Sequence, residues 1–393
     1  MKKHTYVKRA RPIYRNRTSL SIKKLMLTTI IGIMVVFFMA ATLTSFGPGY
    51  HLTSASVNNI SNNLSVETLV YALGNENRYF QQTLPEEYES FSLTPLMLQI
   101  TTNINTEDPR SLLGRELPGF SLFDGRILTA GEGVDYTSMP IESAPPMEVL
   151  LAEREASTER LEEMADLKES VAETDNIDDL PVTVHIIHTH NRESYLPELQ
   201  NTSDPFHESV NITLAGERLG IELAKHGIRA EVDTTDIGAE LNERSWRFSQ
   251  SYEISREIME EAKQENEHIK FYFDLHRDSQ SREHTTVELN GETYAQALFV
   301  IGENNPDYEK NKALANKLHE RLQEDYYGLS RGIFAPPVSE GSRNGVYNQD
   351  LSENALLVEF GGVENSLEEV YRTVEVFAEV FSDFYWEQED SQE

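Results

Sequence analysis

Cysteine is absent from all 393 residues of the sequence, which excludes a framework of disulfide bonds. Basic residues are also scarce, since 34 Lys and Arg face 66 Asp and Glu, for a formal net charge of −32. Nine of those 34 lie within residues 1–24, so the remaining 25 face all 66 acidic residues. Beyond its first residues the chain therefore lacks the basic surface that binding to nucleic acid requires, and its acidity favours a solvated, self-repelling surface.

The N-terminus has the opposite charge and then a long uncharged run. Residues 1–24 contain no acidic residue, and residues 25–46, LMLTTIIGIMVVFFMAATLTSF, contain no charge at all. Twenty-two such residues are enough for a helix that crosses the ~30 Å hydrocarbon core. Positive charge stays in the cytoplasm, so we predict a cytoplasmic tail, one transmembrane helix and an extracytoplasmic remainder. A cleaved signal peptide, with small residues at 54–56, is the alternative, but its apolar run is typically only ~7–15 residues long.

Beyond the predicted anchor the sequence divides into four ranges. Residues 47–63 are rich in Ser, Asn and Thr and predict a short tether. Residues 64–145 mix apolar patches with turn signals and predict a small, mostly helical extracytoplasmic region. Residues 146–180 predict an acidic linker or connecting helix, and residues 181–390 predict the catalytic domain.

A large exported protein without cysteine fits an envelope in which proteins fold without oxidation, as in a bacterium with a single membrane.

The catalytic range alternates short β-rich runs with amphipathic helical patterns. This alternation predicts an α/β fold with a mostly parallel central sheet flanked by helices. The predicted strands are residues 182–190, 228–234, 269–276, 297–303 and 355–361. The predicted helices are residues 211–227, 249–267, 310–326 and 366–386.

Three of these strands end in residues that bind metals or move protons. The stretch HIIHTHNRESY, residues 185–195, places His188 and His190 at i and i+2, which predicts that both point to one side of an extended chain. Glu193 follows them, whereas His185 precedes an apolar pair and is interpreted as structural. The third strand ends in DLHRD, which contains His276. In open α/β sheets, ligands bind at the carboxyl ends of the strands, so these groups are expected to converge.

The last strand contains a carboxylate in an apolar run, Glu359 in ALLVEFGG. Burial of an unpaired carboxylate is costly and raises its pKa toward the range of a general base. Neutral imidazoles and a carboxylate are the usual ligands of a catalytic Zn²⁺ ion. The residues alone therefore predict a hydrolytic zinc site.

Several blocks of the sequence resemble, in order and spacing, those of the stage II sporulation protein P family. The resemblance covers about residues 181–385, and the single N-terminal anchor agrees with it. The blocks are HTHNRESYLP (188–197), YFDLHRDS (272–279), LSRGIF (329–334), YNQDLSENALLVEFGG (347–362) and NSLEEVYRT (365–373).

The resemblance implies a function that the residues alone do not give. Members of this family are zinc-dependent N-acetylmuramoyl-L-alanine amidases, also credited with endopeptidase activity on peptide cross-links. They act on peptidoglycan at the septum during engulfment in sporulation, together with stage II sporulation proteins D and M. The same activity, substrate, partners and location are implied for this chain.

The resemblance also implies roles for particular residues within a zinc amidase fold. His276 matches the second histidine ligand and Glu359 the catalytic carboxylate. The first histidine ligand is His188 or His190. The alternatives at this position stay open on the sequence alone.

The remaining ligand and the oxyanion stabiliser also have alternatives. Glu193 lies in the family block and is the favoured carboxylate ligand, whereas the broader amidase pattern points to Glu208. Arg277 or Arg331 would stabilise the oxyanion, or hold a carboxylate of the substrate.

Two other functions compete with the hydrolase. A non-enzymatic scaffold at the septum could keep the fold and the metal, although such a protein has no need of a general base. A zinc carboxypeptidase on other exported peptides would share the metal chemistry, and only its products would distinguish it from an amidase.

Overall fold

The structure is a computed structural model that describes residues 125–135, 137–141, 144–172, 177–305, 307–336 and 345–391. The predicted tail, anchor and tether lie outside these residues, as does most of the range 64–145. Among the helices that the structure does describe, none combines the length and apolar character needed to span a membrane.

Seven strands form one mixed sheet, and a separate hairpin accompanies it. The spatial order of the sheet is β1-β8-β7-β9-β4-β2-β3, and β5 and β6 form a two-stranded sheet. The strands are β1 (Arg126–Ala130), β2 (Val182–Ile187), β3 (Arg229–Val232), β4 (Phe271–Asp278), β5 (Thr286–Leu289), β6 (Glu292–Ala295), β7 (Ala297–Val300), β8 (Ser330–Ala335) and β9 (Ala355–Gly362).

Eight α-helices accompany these strands in the described part of the chain. They are α1 (Met147–Leu150), α2 (Glu159–Ala172), α3 (Thr213–Lys225), α4 (Ile237–Arg244), α5 (Ser251–Glu265), α6 (Arg282–Thr285), α7 (Tyr308–Asp325) and α8 (Leu367–Asp390). The four helices predicted from spacing correspond to α3, α5, α7 and α8, and the mixed α/β class is confirmed.

The sheet is less parallel than the alternation predicts. Strands β3, β2, β4 and β9 run parallel, but β7 and β9 are antiparallel, as are β1 and β8. A parallel connection needs a crossover that returns the chain to the starting edge. Between β4 and β7 the chain forms only the short α6 and the β5–β6 hairpin, so β7 starts near the edge where β4 ends and runs back.

One strand lies in a range for which the sequence predicts something else. Strand β1 comes from the range predicted as mostly helical, and it pairs with β8 at the edge of the sheet. Gly332 in β8 makes this pairing possible, because its φ is +103° and a Cβ would lie 2.1 Å from the backbone oxygen of Thr129. Helix α2 lies in the range predicted as an acidic linker or connecting helix, where it packs on α3 and buries Met164 in the main core.

The alternation of side chains along the central strands separates the core from the other face of the sheet. Odd-numbered β4 residues Phe271, Phe273 and Leu275 belong to the main core, where Phe273 packs against Phe377 and Phe381 of α8. The residues between them face the side covered by α5, where Tyr272 belongs to a smaller apolar cluster. Since the side-chain period of a strand is two, the polar residues Asp274 and His276 emerge on this second face.

Helix α8 begins with a capping box that is reinforced by an ion pair. The Ser366 hydroxyl accepts from the Glu369 N–H, while Glu369 Oε2 accepts from the Ser366 N–H at 3.0 Å. The Arg282 guanidinium donates to both Glu369 oxygens, at 2.6 Å to Oε2. Burial alone raises the pKa of Glu369, but the hydrogen bonds from Arg282, Ser366 and Asn365 outweigh it and lower the pKa to about 2.

This lowered pKa predicts how stability changes in acid. The folded pKa lies below the usual value of 4.5, so the contribution of Glu369 is present above about pH 4.5 and is lost as the pH falls toward 2. We expect Glu369→Gln to be less stable than the parent at pH 7 and the difference to shrink through this window. Urea unfolding of the parent and of Glu369→Gln at several pH values between 7 and 2.5 measures the difference in the free energy of unfolding. Glu368→Gln, at the more exposed neighbour, is the matched control, and a difference independent of pH would contradict the assignment.

Candidate metal and catalytic site

The turn after β2 delivers the first two groups of the site. Strand β2 ends at Ile187, and the Glu193 N–H donates to the His190 carbonyl at 2.9 Å, which closes the turn. The Glu193 carbonyl in turn accepts from the Ile212 N–H at 2.7 Å. His190 stacks on Phe248, with ring centroids 4.4 Å apart. Hydrogen bonds thus fix the backbone at both positions, and packing fixes the His190 ring.

His190, Glu193 and His276 form a compact buried cluster. His190 Nδ1 lies 3.6 Å from Glu193 Oε1, and His276 Nδ1 lies 3.6 Å from Glu193 Oε2. One ligand atom from each residue falls within 4.8 Å of the others. For a tetrahedral ion with ligand distances of about 2.0–2.1 Å, neighbouring ligands are about 3.3 Å apart, close to the observed separations. The donor set and its spacing therefore fit a Zn²⁺ ion.

The electrostatics of the cluster also suit a cation. Burial by itself raises the pKa of Glu193, but hydrogen bonds from His190 and His276 and the charge of Arg277 hold it below its usual range. Burial lowers the pKa of His276, yet Asp274 and Glu193 together raise it well above its usual value. The site thus keeps a carboxylate ionised and stabilises positive charge beside it, which a proton or a metal ion can supply.

Glu359 lies beside this cluster because of strand register. In the parallel pairing of β4 and β9, Glu359 is the partner of His276, so both side chains emerge on the same face of the sheet. Its Oε2 is buried and has no hydrogen-bond partner among the described residues. Burial, followed by the charges of Glu193 and Asp278, raises the pKa of Glu359 well above 4.5 despite the opposing effects of His276 and Arg277. Glu359 therefore holds a proton more readily than an ordinary glutamate, which suits a group that accepts and releases a proton during catalysis.

Glu359 and His276 open onto a small cleft. The other residues of its wall are mainly apolar and aromatic, namely Pro140, Tyr252, Val300, Phe334, Pro336, Tyr347 and Leu357. A small, mostly apolar cleft with a few convergent polar groups is the usual form of a binding site for a small chemical group.

The structure gives both arginines other partners than those the sequence suggests. The Arg277 guanidinium donates to the Pro205 carbonyl at 3.1 Å and packs over the Phe206 ring, while its backbone N–H donates to Glu193 Oε2 at 2.9 Å. Arg331 forms a fully buried ion pair with Asp278, 2.6 Å long, and donates to the Ser138 carbonyl. Arg277 thus positions the Glu193 carboxylate through its backbone N–H, and the Arg331 guanidinium is held by Asp278 and the Ser138 carbonyl.

His188 does not join the cluster, contrary to the strand alternation predicted for it. Because β2 ends at Ile187, the i, i+2 rule of an extended chain does not hold through His190. His188 Nδ1 lies 2.9 Å from the Asp233 carbonyl, and the ring packs on α3, where a Cβ at Gly216 would lie 2.1 Å from Nε2. Burial lowers the pKa of His188 to about 4, so this ring is neutral. The structure thereby favours His190 as the first histidine of the site.

Glu208, the alternative carboxylate, is exposed and outside the cluster, whereas Glu193 is buried within it.

Sequence reasoning missed the aromatic residues around the site. Phe248 lies just before α5 and Tyr252 lies in its first turn. The spacing of apolar residues in this stretch predicts only an amphipathic helix. Tyr347 lies in the block YNQD, whose turn residues indicate a loop but not the direction of its side chains.

Comparison with known proteins supports the family resemblance over most of the chain. The family model described as stage II sporulation protein P matches residues 107–382. The curated stage II sporulation protein P of Bacillus subtilis (strain 168) is 41% identical over 373 residues, which cover 92% of this chain and 90% of that protein. A solved structure of the apo amidase Ami1 from Mycobacterium abscessus covers 52% of this chain and 99% of its own. With 12% identity and a TM-score of 0.28, it supports no inference about fold or activity. On the family model and the curated relative, the chain belongs to the stage II sporulation protein P family.

Proposed function

We propose that this chain is a membrane-anchored, zinc-dependent hydrolase that cuts the amide bond between N-acetylmuramic acid and L-alanine in peptidoglycan. The observation that supports the proposal most directly is the cluster of His190, Glu193 and His276. Its member His276 is the strand partner of Glu359 and lines the same cleft. Membership of the stage II sporulation protein P family supports septal peptidoglycan as the substrate and sporulation as the setting. An endopeptidase activity on peptide cross-links would use the same groups.

His190, Glu193 and His276 would hold the Zn²⁺ ion. When bound, this ion supplies Lewis-acid polarisation of a carbonyl and activation of a water molecule. The backbone N–H of Arg277 directs Glu193 Oε2, and the stacked Phe248 fixes the plane of His190. These contacts limit how far the donor atoms can move when the site is loaded, which favours a fixed coordination geometry.

Glu359 would move the proton during hydrolysis. Its raised pKa lets it accept a proton from the attacking water and return it to the nitrogen of the departing L-alanine. The aromatic walls of the cleft, Tyr252 and Tyr347, exclude bulk water from this exchange.

Location and partners follow from the sequence and from family membership as proposals. Residues 25–46 would anchor the chain in the cell membrane, with residues 1–24 in the cytoplasm and the catalytic domain outside. The proposed site of action is the sporulation septum and the engulfing membrane. Stage II sporulation proteins D and M are the proposed partners, and the acidic charge argues against nucleic acid as a partner.

The metal proposal predicts which histidines retain zinc. We expect the full-length parent to hold one zinc ion per chain after dialysis, and His190→Ala and His276→Ala to lose it. His188→Gln is the matched control, because His188 is equally buried but contacts α3 and the Asp233 carbonyl. Elemental analysis of the dialysed chains measures the stoichiometry. Loss of zinc from the His188 variant with retention in the other two would contradict the assignment.

The role of Glu359 predicts a loss of rate without loss of metal. We expect Glu359→Gln to release stem peptides from purified sacculi about 10²–10⁴ times more slowly than the parent, with its zinc retained. Glu353→Gln, an exposed carboxylate just before β9 that pairs with Lys310, is the control and should match the parent.

The products of the same digestion discriminate between the competing functions. Free stem peptides and stripped glycans identify an amidase, whereas shortened peptides still attached to glycan identify a carboxypeptidase. If sacculi stay intact in the presence of the zinc-loaded parent and its partners, the hydrolase proposal is wrong and the scaffold function is supported.

A further inference from the structure

A chain of buried polar groups lies behind the second histidine of the site. Asp274 of β4 is only 4% exposed, and both its oxygens accept from Thr189, Oδ1 from the backbone N–H at 2.9 Å and Oδ2 from the hydroxyl at 2.6 Å. The Thr189 hydroxyl lies 2.8 Å from Ser255 Oγ on α5. Ser255 Oγ accepts in turn from Asn348 Nδ2 at 3.0 Å.

The hydrogen bonds of this network all run toward the Asp274 carboxylate, which is the final acceptor. Asn348 donates to the Ser255 hydroxyl, and the Thr189 hydroxyl donates to Asp274. Because Thr189 has only one hydroxyl hydrogen, its oxygen can then accept a hydrogen bond from Ser255. Chains of hydrogen bonds polarise one another in a low-dielectric interior, so this arrangement stabilises an anionic Asp274. A buried carboxylate without such donors would carry a large desolvation penalty.

The imidazole of His276 lies between this carboxylate and Glu193. Its Nε2 is 3.0 Å from Asp274 Oδ1, and its Nδ1 is 3.6 Å from Glu193 Oε2. The Nε2 contact is short but bent, outside the angular range of a good hydrogen bond. Hydrogen bonds of catalytic groups are often poorly aligned in unliganded sites and tighten when the site is occupied. One ring nitrogen thus faces the cluster and the other faces a fixed anion.

We infer that Asp274 is a positioning residue, which orients the His276 ring so that Nδ1 is presented to the metal. The inference rests on the zinc site of the proposed function. Asp274 is not itself one of the clustered ligands, since both its oxygens are held by Thr189 and it lies on the far side of the ring. An acceptor on the second nitrogen of a ligating histidine fixes its tautomer and orientation and makes it a stronger ligand.

A purely structural function of the network would tie α5 and the loop at Asn348 to the sheet. That function would affect the unfolding midpoint but leave the metal site unchanged in chains that remain folded. Metal affinity and the absorption of a bound cobalt(II) ion, which reports ligand geometry, therefore distinguish the two functions.

The test compares full-length parent, Asp274→Asn and Thr189→Val. Asn keeps the shape of the side chain but removes its charge, and we expect zinc to bind about 10–100-fold more weakly in competition with a chromophoric chelator. Val removes the hydroxyl that holds Oδ2 and keeps the backbone bond, so we expect a smaller loss of affinity in the same direction. Both variants should shift the visible absorption of the cobalt(II)-loaded chain.

Glu222→Gln is the control, because Glu222 is a buried carboxylate of α3 that pairs with Arg218 and Lys225. It should bind zinc like the parent. Parental zinc affinity and cobalt absorption in both Asp274→Asn and Thr189→Val, with the parent zinc-loaded, would overturn the inference and leave the proposed function intact. A parent chain that binds no zinc would overturn both.

Discussion

The register between β4 and β9 is the constraint on which the rest of the site depends. It makes His276 and Glu359 neighbours across two parallel strands, both on the face opposite the aromatic core. A shift of one residue in either strand would turn one of the two side chains into the core, where a charged group has no partner. The packing of Phe273 against α8 therefore secures the geometry of the chemistry on the other face.

Buried charge is the second constraint, and the chain meets it with paired groups. Asp278 is neutralised by Arg331, and Glu193 is held by a backbone N–H and two imidazoles. Glu359 alone among these carboxylates has a buried oxygen without a partner in the described residues, and its pKa rises accordingly. The same burial thus gives neighbouring carboxylates opposite protonation behaviour, which is what a metal ligand and a general base require.

Much of this arrangement is predictable from the sequence because its signals are local. Apolar runs and helical spacing locate five strands and four helices, and the strand ends locate His276 and Glu359. Strand β8 is not predictable in this way, since Arg331 and Gly332 interrupt its apolar pattern. The choice between His188 and His190 depends on where β2 stops, and strand ends are set by tertiary pairing with β3 and β4. The function of Arg277 depends on where its guanidinium points, which no spacing rule gives.

The central claim is that His190, Glu193 and His276 surround one zinc ion beside Glu359. Anomalous diffraction at the zinc edge from crystals of the zinc-loaded protein tests it most directly. The account predicts one strong peak within coordination distance of all three side chains, on the side of His276 away from Asp274. A peak at His188, or zinc bound only at surface carboxylates, would contradict it.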